Sequence, residues 1–158
     1  MPKPSDWHNH QVETPTNDND YFERMSRVIF MSGLNWATLD KKWPGIKQAF
    51  RGFEIDAVAA MSEPDVDTLM QNPDVIRNRP KITAIIGNAR EFQALKDEFG
   101  SFKSYLDSLR STGGEEALKA GVAKRFAFMG KGTTVIFLFS AGESLPEATR
   151  EWESRHGK

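Results

Sequence analysis

Residues 72–92 read NPDVIRNRPKITAIIGNAREF, and this stretch sets the architecture. Asn72-Pro73-Asp74 is a turn signal. Pro80 suits the first turn of a helix, where its missing N–H costs nothing. Behind it Ile82, Ile85, Ile86, Ala89, Phe92, Leu95 and Phe99 recur along one helical face, and Gly100 closes the run. The preceding segment carries a helix cap at Ser62 and Asp65, with Pro64 between them and an apolar stripe of Val66, Leu69 and Met70. Two helices joined by a tight turn therefore span about residues 66–98. Arg77, Asn78, Arg79 and Lys81 gather where the second helix begins. Free backbone N–H groups and the helix dipole favour an anion there, and Arg and Lys add charge-assisted contacts to phosphate oxygens. That is the geometry of a helix-hairpin-helix, which grips a nucleic-acid backbone without reading bases. The same cations equally fit a solvated face, and the residues alone leave both readings open.

Outward from this hairpin nearly every segment has a helical period. Tyr21, Phe22, Met25, Val28 and Ile29 make one apolar face, and Asp20 with Glu23 fits a capping box. Gly33 allows a sharp turn before Leu34 and Trp36; as large apolar groups, both also suit a core. The chain reads as helix again after Trp36. Pro44 is expected to break it and to open a second short helix burying Ile46, Ala49, Phe50 and Phe53, with Gly52 as its end. Ile55 to Met61 reads as a further short helix. Ser101 caps a helix burying Phe102, Tyr105, Leu106 and Leu109. Ser111 to Gly114 reads as a flexible break. Val135 to Ala141 fits a buried strand or a buried helix, and periodicity does not decide. Ser144 and Glu147 start a last charged helix around Trp152. The expected class is all-α, with a polar arm over residues 1–18 and one helical domain over 19–158.

Composition narrows the function. A chain of 158 residues with net charge -1 has no global pull toward nucleic acid, so any anion-binding surface is local. The absence of cysteine excludes disulfides and thiolate zinc sites. No apolar run is long enough to span a membrane, and Met1 to Thr16 lacks the apolar core of a signal peptide. A cytoplasmic monomer is the expectation. His8 and His10 lack a nearby third ligand, so no metal is expected there.

The order GLNW, then NPDVIRNRPKI with AIIGNAREF, then EFGSFKSYL, then RFAFMG resembles the DNA-3-methyladenine glycosylase I family of the helix-hairpin-helix glycosylase superfamily. The resemblance covers roughly residues 21–142 and is tightest over Val75 to Phe92. It implies a two-lobed helical body that flips a methylated, cationic purine out of double-stranded DNA and hydrolyses its glycosidic bond without a cofactor. It implies Trp36 as the residue stacking on the base. Gly33 and Leu34 form the wedge in the duplex, and Arg77, Asn78, Arg79 and Lys81 the backbone grip. Val28, Phe30 and Trp7 fall at base-pocket positions. Three departures stand out. The family's pocket glutamate is Val28 here, and Phe30-Met31 make the pocket more apolar. The family's zinc ligands are missing: only His8 roughly matches one, and the C-terminal pair falls near Glu147 and Glu151, so no zinc is expected. Asp74 stands where relatives usually have glycine, and its carboxylate would repel a phosphate unless it points away.

Overall fold

The computed structural model describes residues 14–31 and 36–156. Among them every regular element is a helix and no strand occurs. The first helix, α1, covers Asp18–Met31. Its cap is Asn17, whose Oδ1 accepts the Asp20 N–H at 2.9 Å. Asp20 is thus the third helical residue rather than the cap, and its carboxylate takes the Thr16 N–H and hydroxyl. Glu23 is not part of the cap. It accepts from the Trp43 indole at 2.8 Å and pairs with Lys47 at 3.1 Å.

Helix α2 runs Trp36–Ala49 without interruption, carrying Pro44 inside it. This corrects the expected break at Pro44. Leu39, Trp43, Ile46 and Phe50 fall on one face and are all buried. At about 1.5–3 kcal/mol for each large apolar side chain, their burial outweighs the ~3 kcal/mol that an interior proline costs. A 3-10 turn at Arg51–Phe53 follows, with Gly52 at φ 73°. Trp43 and Phe53 stack across it with centroids 5.2 Å apart.

Helix α3 is Ile55–Ala59 and α4 is Glu63–Gln71. The cap at Ser62 and Asp65 is formed, with the Ser62 N–H donating to the Asp65 carboxylate at 2.9 Å. The long helix α5, Arg79–Phe99, is capped by Asn78 and ended by Gly100 at φ 88°. Its apolar face is buried from Ile82 to Leu95, but Phe99 is exposed and leans on Tyr105.

Helix α6, Phe102–Arg125, is two arms joined at Gly113 and Gly114, where the backbone leaves helical geometry. The arms fold back on each other. A Cβ at Gly121 would lie 2.5 Å from the end of the Leu109 side chain, so any larger residue there must displace that leucine. The Tyr105 hydroxyl donates to the Gly121 carbonyl at 3.1 Å. Val135 to Phe139 is resolved as helix, within α7 at Lys131–Ser140. The last helix, α8, is Pro146–His156. It is docked by Glu115, a buried carboxylate that accepts the N–H groups of Glu147 and Ala148 at 2.8 Å each.

Helices α1 and α5 contact both the α2–α4 side and the α6–α7 side. A run of aromatic contacts crosses between them: Trp43 to Phe53, Phe53 to Phe22, Phe22 to Phe92, Phe92 to Phe102, and Phe102 to Phe137. Each such pair adds about 0.5–1.5 kcal/mol beyond its buried area.

Candidate functional site

The hairpin between α4 and α5 is built by local chemistry. The Asn72 side chain accepts the Asp74 N–H at 2.8 Å, and its carbonyl accepts the Val75 N–H at 3.2 Å. Val75 is buried and pins the turn to the core. Asn78 then caps α5 by accepting the Lys81 N–H at 3.1 Å. The amides of Ile76 and Arg77 donate to no group among the described residues, which leaves two donors beside a helix N-terminus.

The cations here are not equivalent. Arg77 is exposed and makes no ion pair among the described residues. Arg79 is held by Asp67 at 2.5 Å and Glu63 at 3.4 Å, both on α4. Its hydrogen bond to Asp67 raises its pKa above the ordinary arginine range. Lys81 is half-buried, and desolvation holds its ammonium below the usual lysine value.

The Asp74 side chain packs against α2. A Cβ at Gly45 in α2 would sit 2.9 Å from the Asp74 Cβ and 3.1 Å from its carboxyl carbon. The hairpin tip therefore rests on α2 at a glycine, with the Asp74 side chain turned into that contact. Sequence reasoning missed Gly45, because nothing in its neighbourhood shows what approaches it.

The C-terminal half of α1 carries two half-buried arginines. Arg27 bonds Asp40 and lies 5.2 Å over the Trp43 ring. Arg24 donates to the Ser140 carbonyl at the end of α7. Burial lowers the pKa of both, and Arg27 lowers that of Arg24 further by repulsion. Val28, the residue after Arg27, is 2% exposed, and Phe30 is 0% exposed. Phe30 packs on Phe50 and Trp43 at 5.8 and 6.5 Å. Trp7, Gly33 and Leu34 lie outside the described residues, as does the side chain of Trp36, whose backbone begins α2.

The acids near this region are all engaged: Asp20 with Thr16, Glu23 with Trp43 and Lys47, Asp40 with Arg27. An open cleft of about 420 Å³ lies elsewhere, between the start of α1, α3 and the end of α5. Three of its polar side chains are partnered: Asn19 with the Ile55 N–H, Asp18 with the Phe102 N–H, Gln93 with Asp56.

The structural zinc of the resembled family does not fit this chain. Cysteine is absent. Glu151 is paired with Arg155 at 2.6 Å. Among the described residues no group of three or more His, Cys, Asp or Glu is placed to hold a metal.

Sequence reasoning also missed Asn88. It is 2% exposed, and it holds the backbone of Ala127 from both sides, accepting its N–H at 2.9 Å and donating to its carbonyl at 3.2 Å. The signal for it was a lone amide on the buried stripe of α5.

An all-α body carrying a docked, cation-bearing helix-hairpin-helix defines a class of nucleic-acid-binding folds. Residues 2–139 match the family described as methyladenine glycosylase, and the chain belongs to that family. It is 32% identical over 152 residues to DNA-3-methyladenine glycosylase 1 of Escherichia coli (strain K12), covering 84% of this chain and 80% of that one. It is 31% identical over 156 residues to the DNA-3-methyladenine glycosylase of Haemophilus influenzae, covering 87% and 84%. A solved structure of 3-methyladenine DNA glycosylase I from Staphylococcus aureus, which addresses 3-methyladenine recognition, superposes with a TM-score of 0.73 at 26% identity, covering 87% of this chain and 84% of that one. No helix among the described residues is long and apolar enough to cross a membrane.

Proposed function

We propose that this protein is a monofunctional DNA glycosylase that removes an alkylated, 3-methyladenine-like purine from double-stranded DNA in base-excision repair. It acts as a monomer in the cytoplasm. The observation that carries this is the hairpin of a methyladenine-glycosylase-family chain, with donors at Ile76 and Arg77 and an exposed Arg77 beside the capped N-terminus of α5. The hairpin holds the phosphodiester backbone through Arg77, Asn78, Arg79 and Lys81, Arg77 contributing most because Arg79 is shared with two acids. Leu34 and Gly33 fill the gap left by the flipped nucleotide, and Trp36 stacks on the base. A base alkylated at N3 is cationic, so it leaves readily. Water bonds to C1′, the C1′–N9 bond breaks, the electron pair returns to the base as it departs neutral, and the water proton passes to solvent. No residue is assigned as general base.

The test is release of free 3-methyladenine from N3-alkylated duplex. Release that falls at least tenfold in the Arg77→Ala, Lys81→Ala double variant supports the reading. No release from stoichiometric, folded protein defeats it.

A second reading is favoured by Val28, an apolar residue where the family resemblance implies a glutamate. The protein would then be a damage-binding module without catalysis. It would bind an abasic duplex in a salt-dependent manner and yield no product.

A further inference from the structure

The chain has a net charge of -1, yet two stretches of it contain no acid at all. Val75 to Arg90 carries Arg77, Arg79, Lys81 and Arg90. Ala117 to Gly142 carries Lys119, Lys124, Arg125 and Lys131. The fold packs them together, because Asn88 holds Ala127 by two hydrogen bonds. Several of these cations are committed: Arg79 to Asp67 and Glu63, Arg125 to Glu91 and Glu98, Lys119 to Glu115 and Glu116, and Arg90 to the carbonyls of Ala59 and Met61. Arg77, Lys124 and Lys131 remain exposed, with no acid of the described residues upon them.

Between Lys124 and Lys131 in the chain sits Phe128, 49% exposed. Its neighbours Phe126 and Met129 are buried at 4% and 2% and pin the loop on both sides. Phe128 also has φ 60°, a left-handed conformation that a bulky side chain rarely adopts. The loop is thus fixed in a strained form that projects an aromatic ring into solvent. Asn88 follows Lys81 by seven residues on α5, two turns and ~10 Å further along the same helical face. The ring therefore stands within reach of whatever strand the hairpin holds.

We propose that the Ala127–Lys131 loop is a second contact for duplex DNA, with Phe128 against the sugar faces of the strand and Lys131 on a phosphate. An apolar ring flanked by cations matches a polyanion that also offers flat, apolar sugar and base surfaces. The inference rests on the DNA-binding reading above and extends its footprint beyond the hairpin.

The experiment is fluorescence anisotropy of a labelled short duplex bearing a tetrahydrofuran abasic analogue, titrated with full-length protein across a salt series. Phe128→Ala and Phe128→Asn weaken binding roughly five- to tenfold with the salt slope unchanged. Asparagine tolerates the left-handed backbone, so it separates ring loss from loop distortion. Lys131→Ala lowers the log–log salt slope by about one. All three keep the wild-type melting temperature, or rise above it where strain is relieved. If the wild type binds and Arg77→Ala weakens it, but the Phe128 and Lys131 variants match wild type, this inference falls alone. If the wild type binds no duplex, the proposed function falls with it.

Discussion

The docking of the hairpin on α2 makes a sharp stability prediction. Gly45 lies inside α2, where alanine is ordinarily worth about 1 kcal/mol over glycine. In this protein the added methyl would meet the Asp74 Cβ at 2.9 Å, its carboxyl carbon at 3.1 Å and Oδ2 at 3.4 Å. The first of these atoms is at the root of the side chain and cannot swing aside, so the hairpin backbone must shift. Overpacking of this kind costs about 1–3 kcal/mol. Gly45→Ala should therefore leave stability unchanged or reduce it by up to about 2 kcal/mol, the difference of those two effects. In an Asp74→Gly background the obstacle is gone, and the same substitution should stabilise by up to about 1 kcal/mol. Urea denaturation of the four proteins gives the coupling, expected at about 1–3 kcal/mol. DNA affinity should fall in Gly45→Ala and recover in the double variant. A coupling below about 0.5 kcal/mol would show that the two residues do not touch, and would refute the docked hairpin.

Three further outcomes follow from the geometry. Glu115→Ala leaves the amides of Glu147 and Ala148 without their acceptor; a loss of about 2–4 kcal/mol is expected, with hydrogen exchange at residues 147–149 rising first. Glu115→Gln should recover part of that loss, and equal exchange in all three proteins would remove Glu115 as the anchor of α8. Burial raises the pKa of Tyr21 and Tyr105, so the folded state holds their protons longer than the unfolded chain does. The tyrosines' contribution to stability should therefore be constant below about pH 10 and fall as pH rises beyond it, where the unfolded tyrosines ionise. Tyr21→Phe should shallow that alkaline fall, and an unchanged slope in pH-dependent urea midpoints would contradict it. Val28→Glu tests the base pocket: release of 3-methyladenine should rise at least tenfold, because a carboxylate facing a cationic base in a dry site contributes on the order of several kcal/mol. Unchanged release from folded variant would show that position 28 does not face the base.

The hairpin was legible because its determinants are local. The Asn72 side chain makes the turn by accepting the Asp74 N–H, and Asn78 and Pro80 start α5 two residues apart. The caps at Ser62 and Ser101 were readable for the same reason. Where a residue's partner is distant, local reading failed. Glu23 has capping spacing, yet its carboxylate goes to Trp43 and Lys47. Pro44 signals a break, yet the buried face of α2 and the stacking of Trp43 on Phe53 hold the helix through it. Gly45, Asn88 and Phe128 carry meaning only once the chain has folded against them. Only the family resemblance suggested the roles proposed for Gly33, Leu34 and Trp36, which local chemistry alone could not assign.

The continuity of α2 has a mechanical consequence. Trp36 opens the helix and Gly45 meets the hairpin nine residues later, a separation of ~13 Å along a single rod. On the proposed reading, the indole that receives the extruded purine and the clamp on its phosphates are fixed to the same beam. The beam then acts as a gauge: it sets how far along the strand from the clamped phosphate the interrogated nucleotide must lie. Had Pro44 split the rod, that spacing would drift with every flexing of the joint.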